Sequence, residues 1–307
     1  MPRSKRRQVD PTGQNPRRQT AERLSNARIR SARTGVIELI RGLRTIVRED
    51  AVVNNNEFHD YQLTQTELDD LIRTVGLEVT RALDTTDQVK PNDWYLDQVI
   101  ETPYRQGVLE TTRDLNQDIN LAIIAGITFA GFAPQELSPE NILFSEKYRA
   151  GIARRQSAVY ASVKELGDKL TGQALQRINT GIDSGLSPEF IVNEVADRFD
   201  VAESGAKRIT DTQVNTAYNN AKLSATRLVG ELAGYPSAVL HISALATTTR
   251  DHHAARHGMT YTIGDQLEWW DSNANRINCK CSIRAVLLNE DGQIINERFE
   301  KALQDER

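Results

Sequence analysis

The sequence predicts a mainly α-helical fold, a helical N-terminal region followed by a small α+β C-terminal module. Through most of the chain up to Gly234, apolar residues return every three or four positions, the period of an amphipathic helix. After Pro236 the texture changes to short β-branched runs separated by turn residues, the pattern of strands. Aromatic residues make up only 6% of the chain, although 39% of it is hydrophobic. That balance suits helices packed through Leu, Ile, Val and Ala.

In chain order, residues 1–19 are rich in Pro, Gly, Gln and Arg and read as a basic disordered tail. Residues 20–150 read as a helical region. Within it, Val36, Ile37, Ile40, Leu43 and Val47 form one apolar stripe that "NNN" interrupts. Thr64 with Glu67 is a capping box opening a helix whose face is Leu68, Leu71, Ile72, Val75 and Val79. A long helical segment follows from Leu96 to about Ala130, and "GFAPQELSPEN" ends it with proline-bearing turns. Residues 151–236 continue as helices. One has Ser187 as cap, Pro188 in its first turn and a face of Phe190, Ile191, Val195 and Phe199. Another runs through "AESGAKRITDTQVNTAYNNAKLSATRLVGELAG" and is stopped by Gly234 and Pro236. Residues 237–307 form the α+β part: "AVLHISAL", "MTYTI", "LEWW" and "CSIRAVLL" read as strand pieces, and "TTTRDHHAARHG" as a short helix stopped by Gly258.

Composition narrows the function classes. The longest apolar run, "INLAIIAGITFAGFA", is too short to span a bilayer, and the start has positive charge without an apolar core. No membrane partner and no secretory signal are expected. The two cysteines stand one residue apart, which gives no disulfide framework and fits a reducing cytoplasm. The net charge of -4 hides ten basic residues against two acids in residues 1–33. Arg3, Lys5, Arg6, Arg7, Arg17 and Arg18 are therefore candidates for contact with nucleic acid or an acidic partner, since a flexible basic arm gains affinity by releasing counterions from phosphates.

Three of the five histidines lie within "HHAARH", and both cysteines in "NCKCS". His253 and His257, four apart, would share one helix face, and with Cys279 and Cys281 they make a donor set of the kind zinc favours. The same residues also suit core packing, or a histidine–cysteine pair of nucleophile and base. A zinc-dependent nuclease, or another nucleic-acid-processing protein, is the enzymatic alternative. Against it, the chain has no Walker A, GxSxG, HExxH or GxGxxG motif and no placed acid–base pair, so no catalytic residue is assigned and no enzyme is expected.

The region from Gly185 to about Val286 resembles the phage Mu F-like head morphogenesis (minor head protein) family. "GLSPEFIVNEVADRF" with "RITDTQVNTAYNNA" is similar to the family's R-I-x-R-T-E-x-x-x-A-x-N helix. "TRDHHAARHG" is similar to its T-R-x-x-H-x-x-x-x-G, placing Thr249, Arg250, His253 and Gly258. "NCKCSIRAV" is similar to its closing N-C-R-C strand, placing Asn278, Cys279, Lys280 and Cys281. Asp211 and Gln213 depart from the family's Arg and Glu, and His257 stands where an Asp is usual. The resemblance implies a virion protein, made in the bacterial cytoplasm and held in the head interior near the portal vertex. Its implied partners are the portal protein and the major capsid or scaffolding protein, with DNA at the basic tail. Its implied role lies in head assembly and in genome packaging or delivery. Arg250 is expected to act as an internal anchor bonding several carbonyls, because a planar guanidinium presents several donors at once.

Overall fold

The computed structural model describes residues 10–53, 56–85, 93–129 and 134–306. Its elements are α1 (Asn15–Arg41), β1 (Thr45–Val53), β2 (Asn56–Tyr61), α2 (Gln65–Leu83), α3 (Asp93–Leu96), a π-helical turn (Asp97–Glu101), α4 (Thr102–Ala125), α5 (Pro139–Leu143), α6 (Glu146–Asp183), α7 (Pro188–Ala233), β3 (Ser237–Ile242), α8 (Asp251–Ala254), β4 (Thr260–Tyr261), α9 (Ile263–Asp271), β5 (Ser282–Leu287) and α10 (Glu297–Asp305). The protein is thus mainly helical with small antiparallel sheets.

Contacts group the chain into two compact units. One comprises residues 1–19, 96–157 and 210–307; the other comprises 20–95 and 158–209. The boundaries read from the sequence, at 19, 150 and 236, follow chain order. The contacts do not, because α6 and α7 each contribute to both units.

The second unit shows where local patterning was and was not enough. The Thr64–Glu67 capping box forms as expected, with Glu67 N–H donating to Thr64 Oγ1 at 3.3 Å and Thr64 N–H to Glu67 Oε2 at 2.8 Å. Leu71, Val75 and Val79 are buried along that helix, whereas Ile72 is exposed. The helix expected to carry Val47 stops at Arg41, and Val47 lies on a hairpin instead. Gly42 and the β-branched run from Thr45 to Val47 favour extended backbone. β1 and β2 pair antiparallel from Thr45↔Tyr61 to Val53↔Asn56, with a register shift between Arg48 and Val52.

Residues 10–19 also differ from the expected tail, of which residues 1–9 lie outside the described residues. Asp10 accepts from Thr12 Oγ1 at 2.7 Å, from Asn15 N–H at 2.9 Å and from Arg18 Nη2 at 3.0 Å. These bonds seat the first turn of α1 at Asn15. Burial raises the Asp10 carboxyl, but its hydrogen bonds and the Arg18 cation outweigh that and hold it below its ordinary value.

In the first unit, α4 and α7 cross closely. A Cβ at Gly107 would lie 2.4 Å from the carbonyl oxygen of Tyr218 and 2.9 Å from Ala221 Cβ, so only glycine permits this approach. The sheet has the order β4–β3–β5, all antiparallel. Every residue of β5 is buried. Ala285 and Leu287 pack with Val108, Leu115, Ile119 and Ala225, while Val286 packs with Ala238, Leu240, Ile294 and Leu303. A strand covered on both faces reads as a continuous apolar run, as "SIRAVL" nearly does. "LEWW", expected as a strand, belongs to α9. Thr262 caps that helix, accepting from Asp265 N–H at 3.1 Å, and Trp270 is buried beneath it. The two helices expected between Pro188 and Gly234 form one, α7, of 46 residues; Gly205 lies within it and does not break it.

Candidate metal centre

The sequence from Ala246 to Gly258 forms one turn of helix and then a tight reversal. Arg250 stands at the N-cap of α8 in extended conformation, and its side chain is not spent on the cap. It donates instead to the carbonyls of Ala274 at 3.2 Å, Asn275 at 3.1 Å and Ile277 at 3.1 Å. Those carbonyls belong to a loop in which Asn273, Ala274 and Asn278 all adopt left-handed backbone, with φ of 49°, 55° and 51°. Such residues persist only where their surroundings hold them, and the Arg250 fork supplies that hold. Gly258 ends the reversal at φ 68°, its N–H donating to the carbonyl of His241 at 2.8 Å.

The loop carries the cysteines to α7. Asn278 N–H donates to Thr212 Oγ1 at 2.9 Å. Asn215 Nδ2 donates to the carbonyls of Cys279 at 2.9 Å and Cys281 at 3.0 Å, and Asn219 Nδ2 donates to Cys281 at 3.0 Å. Both amides are buried. The site residues singled out from the sequence did not include these two asparagines. Their signal is an Asn at i and i+4 on one helix face, and Asn219 falls on the closing Asn of the R-I-x-R-T-E-x-x-x-A-x-N pattern.

Held this way, His253, Cys279 and Cys281 present one ligand atom each, all within 4.8 Å of one another. His253 Nδ1 lies 3.4 Å from Cys281 Sγ and 3.6 Å from Cys279 Sγ. The three residues are 2%, 4% and 2% exposed. The Cys279 thiol is lowered to about 5: the Cys281 thiol donates to it, burial opposes this, and His253 and the Cys281 N–H add to the lowering. Cys281 is pushed up by the same partnership and by burial. Two soft sulfurs and an imidazole nitrogen, with one thiol shifted towards the thiolate, are the donor chemistry of zinc.

His257 does not join them. α8 ends at Ala254, so the helix face expected to carry both histidines does not exist. His257 Nδ1 accepts from Ser243 N–H at 3.0 Å, and its Nε2 lies 3.4 Å from a Glu306 carboxylate oxygen. Thr249 is half-buried at the entry to α8, its N–H bonded to the Ala246 carbonyl at 2.9 Å. Of the basic residues expected to meet nucleic acid or an acidic partner, Arg3, Lys5, Arg6 and Arg7 lie outside the described residues. Arg18 is buried against Asp10, and Arg17 bonds Gln106 on α4. Both guanidiniums are taken up by ordered structure rather than left on a flexible arm.

One further histidine matters. His241, on β3, is fully buried; its Nδ1 meets Gln266 Oε1 at 3.2 Å and its ring stands edge-on to Trp269 at 5.2 Å. Burial lowers it to about 3, with the Gln266 bond opposing. Below pH 6.5 an unfolded histidine takes up a proton that folded His241 refuses. Stability is therefore expected to fall as pH drops from about 6.5 towards about 3, by at most roughly 1.4 kcal/mol per pH unit from this group. Urea midpoints measured across that range should show a shallower slope in His241→Phe, and an identical slope would refute the assignment.

Among the described residues, no helix is long and apolar enough to cross a membrane. No curated protein and no solved structure matches the chain. The family model described as Phage Mu protein F like protein matches residues 173–284. That span takes in the α7 asparagines, the Arg250 turn and the cysteine loop, the three pieces that meet in the structure. Through residues 173–284 the chain carries a segment similar to the phage Mu F-like family.

Proposed function

We propose that this protein is a minor head protein of a tailed bacteriophage. In this reading it sits in the virion, in the head interior near the portal vertex, bound to the portal protein and to the major capsid or scaffolding protein. There it serves head assembly and genome packaging or delivery as a structural part rather than an enzyme. The observation that carries the reading is the convergence of the three family pieces into one buried clamp inside the matched segment. The burial of His253, Cys279 and Cys281 favours a structural ion over a hydrolytic one, since a nuclease must bring a phosphodiester to its metal. If zinc is the ion, His253, Cys279 and Cys281 would hold it, and it would cross-link the α8 turn to the cysteine loop.

Docking on another protein is supported by apolar side chains left in water at the end of α4, where Ile123 is 50% and Ile124 is 82% exposed. Exposed apolar patches mark interaction sites. The expected result is that the protein co-sediments with heads or portal complexes from infected cells. Ile124→Asp should reduce that association by about tenfold, the equivalent of one well-buried aliphatic side chain, while leaving the melting temperature unchanged. If the wild-type protein does not co-sediment with heads or portals, the reading is wrong.

A further inference from the structure

A large cleft lies within the first unit and touches none of the metal-site donors. It is a cleft of about 800 Å³ walled by the start of α6, the second half of α7, α9 and Arg276. Its charges do not balance. Lys147 is paired with Glu231, and Arg276 with Asp271 at 2.7 Å. That leaves Arg154, Arg155 and Arg227 facing the cleft against one carboxylate, Glu146. None of these three guanidiniums has a hydrogen bond or ion pair with another described residue.

Arg155 is the telling member. It is half-buried, and burial together with the neighbouring Arg276 cation lowers its affinity for its own proton. A half-buried cation beside another cation is costly, and the one carboxylate acting on Arg155, Asp271, is already paired with Arg276. Arg276 is itself fixed, donating to Asn220 Oδ1 at 2.9 Å from beneath α7. The lining also has apolar side chains, Leu223, Leu228, Ile263 and Leu267.

We infer that this cleft is a binding site for an organic phosphate of nucleotide size, with the phosphate on Arg154, Arg155 and Arg227 and a flat apolar group against the apolar side chains. Guanidinium forks match phosphate oxygens two at a time. A cleft of a few hundred to about a thousand Å³ with apolar walls and a few convergent charges is the form of a small-molecule site; an acidic protein segment would need a longer, shallower surface. The phosphate can come from a free nucleotide or from the 5′ end of a nucleic-acid strand, and both offer the same group to the arginines.

Calorimetric titration of the full-length chain at low salt tests this. Adenosine 5′-monophosphate should bind and adenosine should not, with affinity falling as salt rises. Arg155→Gln should weaken binding by about tenfold or more, the loss expected for one charged hydrogen-bonding partner; Arg73→Gln, an exposed arginine on α2, should leave it unchanged. Arg154 is exposed, so Arg154→Gln gives a second reading that does not depend on the fold tolerating a change at Arg155. A 5′-phosphorylated oligonucleotide that binds more tightly than the mononucleotide, with the same sensitivity to Arg155→Gln, identifies a strand end as the source; equal affinity identifies a free nucleotide. The inference is overturned by no binding of either phosphate compound at millimolar concentration, by binding that neither variant weakens, or by a glutamate-rich peptide that binds in preference to both.

Discussion

Asp118→Ala is expected to cost about 3–5 kcal/mol of folding free energy, the penalty for leaving a buried charge without its partner. Asp118 is 0% exposed in the middle of α4. One carboxylate oxygen accepts from the backbone N–H of Leu287 on β5 at 3.0 Å. The other accepts from Arg284 Nη2 at 3.1 Å and from Asn296 Nδ2 at 3.4 Å. The side chain therefore fastens the all-buried strand to the helix beneath it and fixes the entry to α10. Without it, Arg284 keeps Asp114 at 3.8 Å, the Gln117 amide oxygen at 3.2 Å, a backbone carbonyl at 3.4 Å and the face of the Phe299 ring at 4.2 Å. Against a typical domain stability of about 5–15 kcal/mol, that loss is a large share of the whole.

The sign of the Asp118 shift sharpens the expectation. Burial raises its pKa, and Arg284 with the Leu287 N–H only partly reverses this. The folded state thus disfavours the charged carboxylate even with its partner present, so the pair is not a large net source of stability. What is costly is breaking it. The double variant Asp118→Leu/Arg284→Met should recover much of the single-variant loss, because buried ion pairs exchanged together for apolar residues are often neutral. It should still fall short by about 1 kcal/mol for the orphaned Leu287 N–H. Urea unfolding of the two single variants and the double variant measures the coupling. Additive losses would show that Asp118 and Arg284 do not act as a pair.

This pairing also shows what the sequence could and could not disclose. Asp118 and Arg284 stand 166 residues apart, and neither carries a local signal that distinguishes it from a solvated charge. The capping box at Thr64 was legible because its chemistry is complete within four residues. The sequence divides α7 into two helices after Val201, yet the chain runs through as one; Gly205 inside it costs only about 1 kcal/mol, which packing outweighs. The hairpin was hidden because Ile40 and Val47 satisfy helical spacing across Gly42, while the β-branched pairing across "NNN" becomes evident only with both strands in view. In the site, residue identity was enough to bring His253 to Cys279 and Cys281. Assigning His257 to the same cluster required a helix two turns long, and α8 is a single turn of four residues.

Loss of the metal-site sulfurs is expected to be as damaging as loss of Asp118, provided zinc occupies them. Wild-type protein should then contain one zinc per chain, and Cys279→Ser/Cys281→Ser none. Zinc added to metal-free protein at about a hundred times its dissociation constant should stabilise it by roughly 2.7 kcal/mol, seen as a rise in melting temperature that the double variant lacks. Cobalt substitution adds a readout independent of stability: thiolate ligation gives an intense near-ultraviolet charge-transfer band, which should weaken in Cys281→Ser and vanish in the double variant. His253→Ala should lower affinity as well, whereas His257→Ala should not, because its ring faces Ser243 and Glu306. The alternative has its own signature. If the cluster is packing held by the Cys279–Cys281 and Cys281–Ser243 contacts, purified protein will carry no metal and zinc will leave its melting temperature where it was. The asparagine and Arg250 clamps would then hold the loop unaided, and Arg250→Lys, which loses the planar fork to three carbonyls, would be the substitution that frees it.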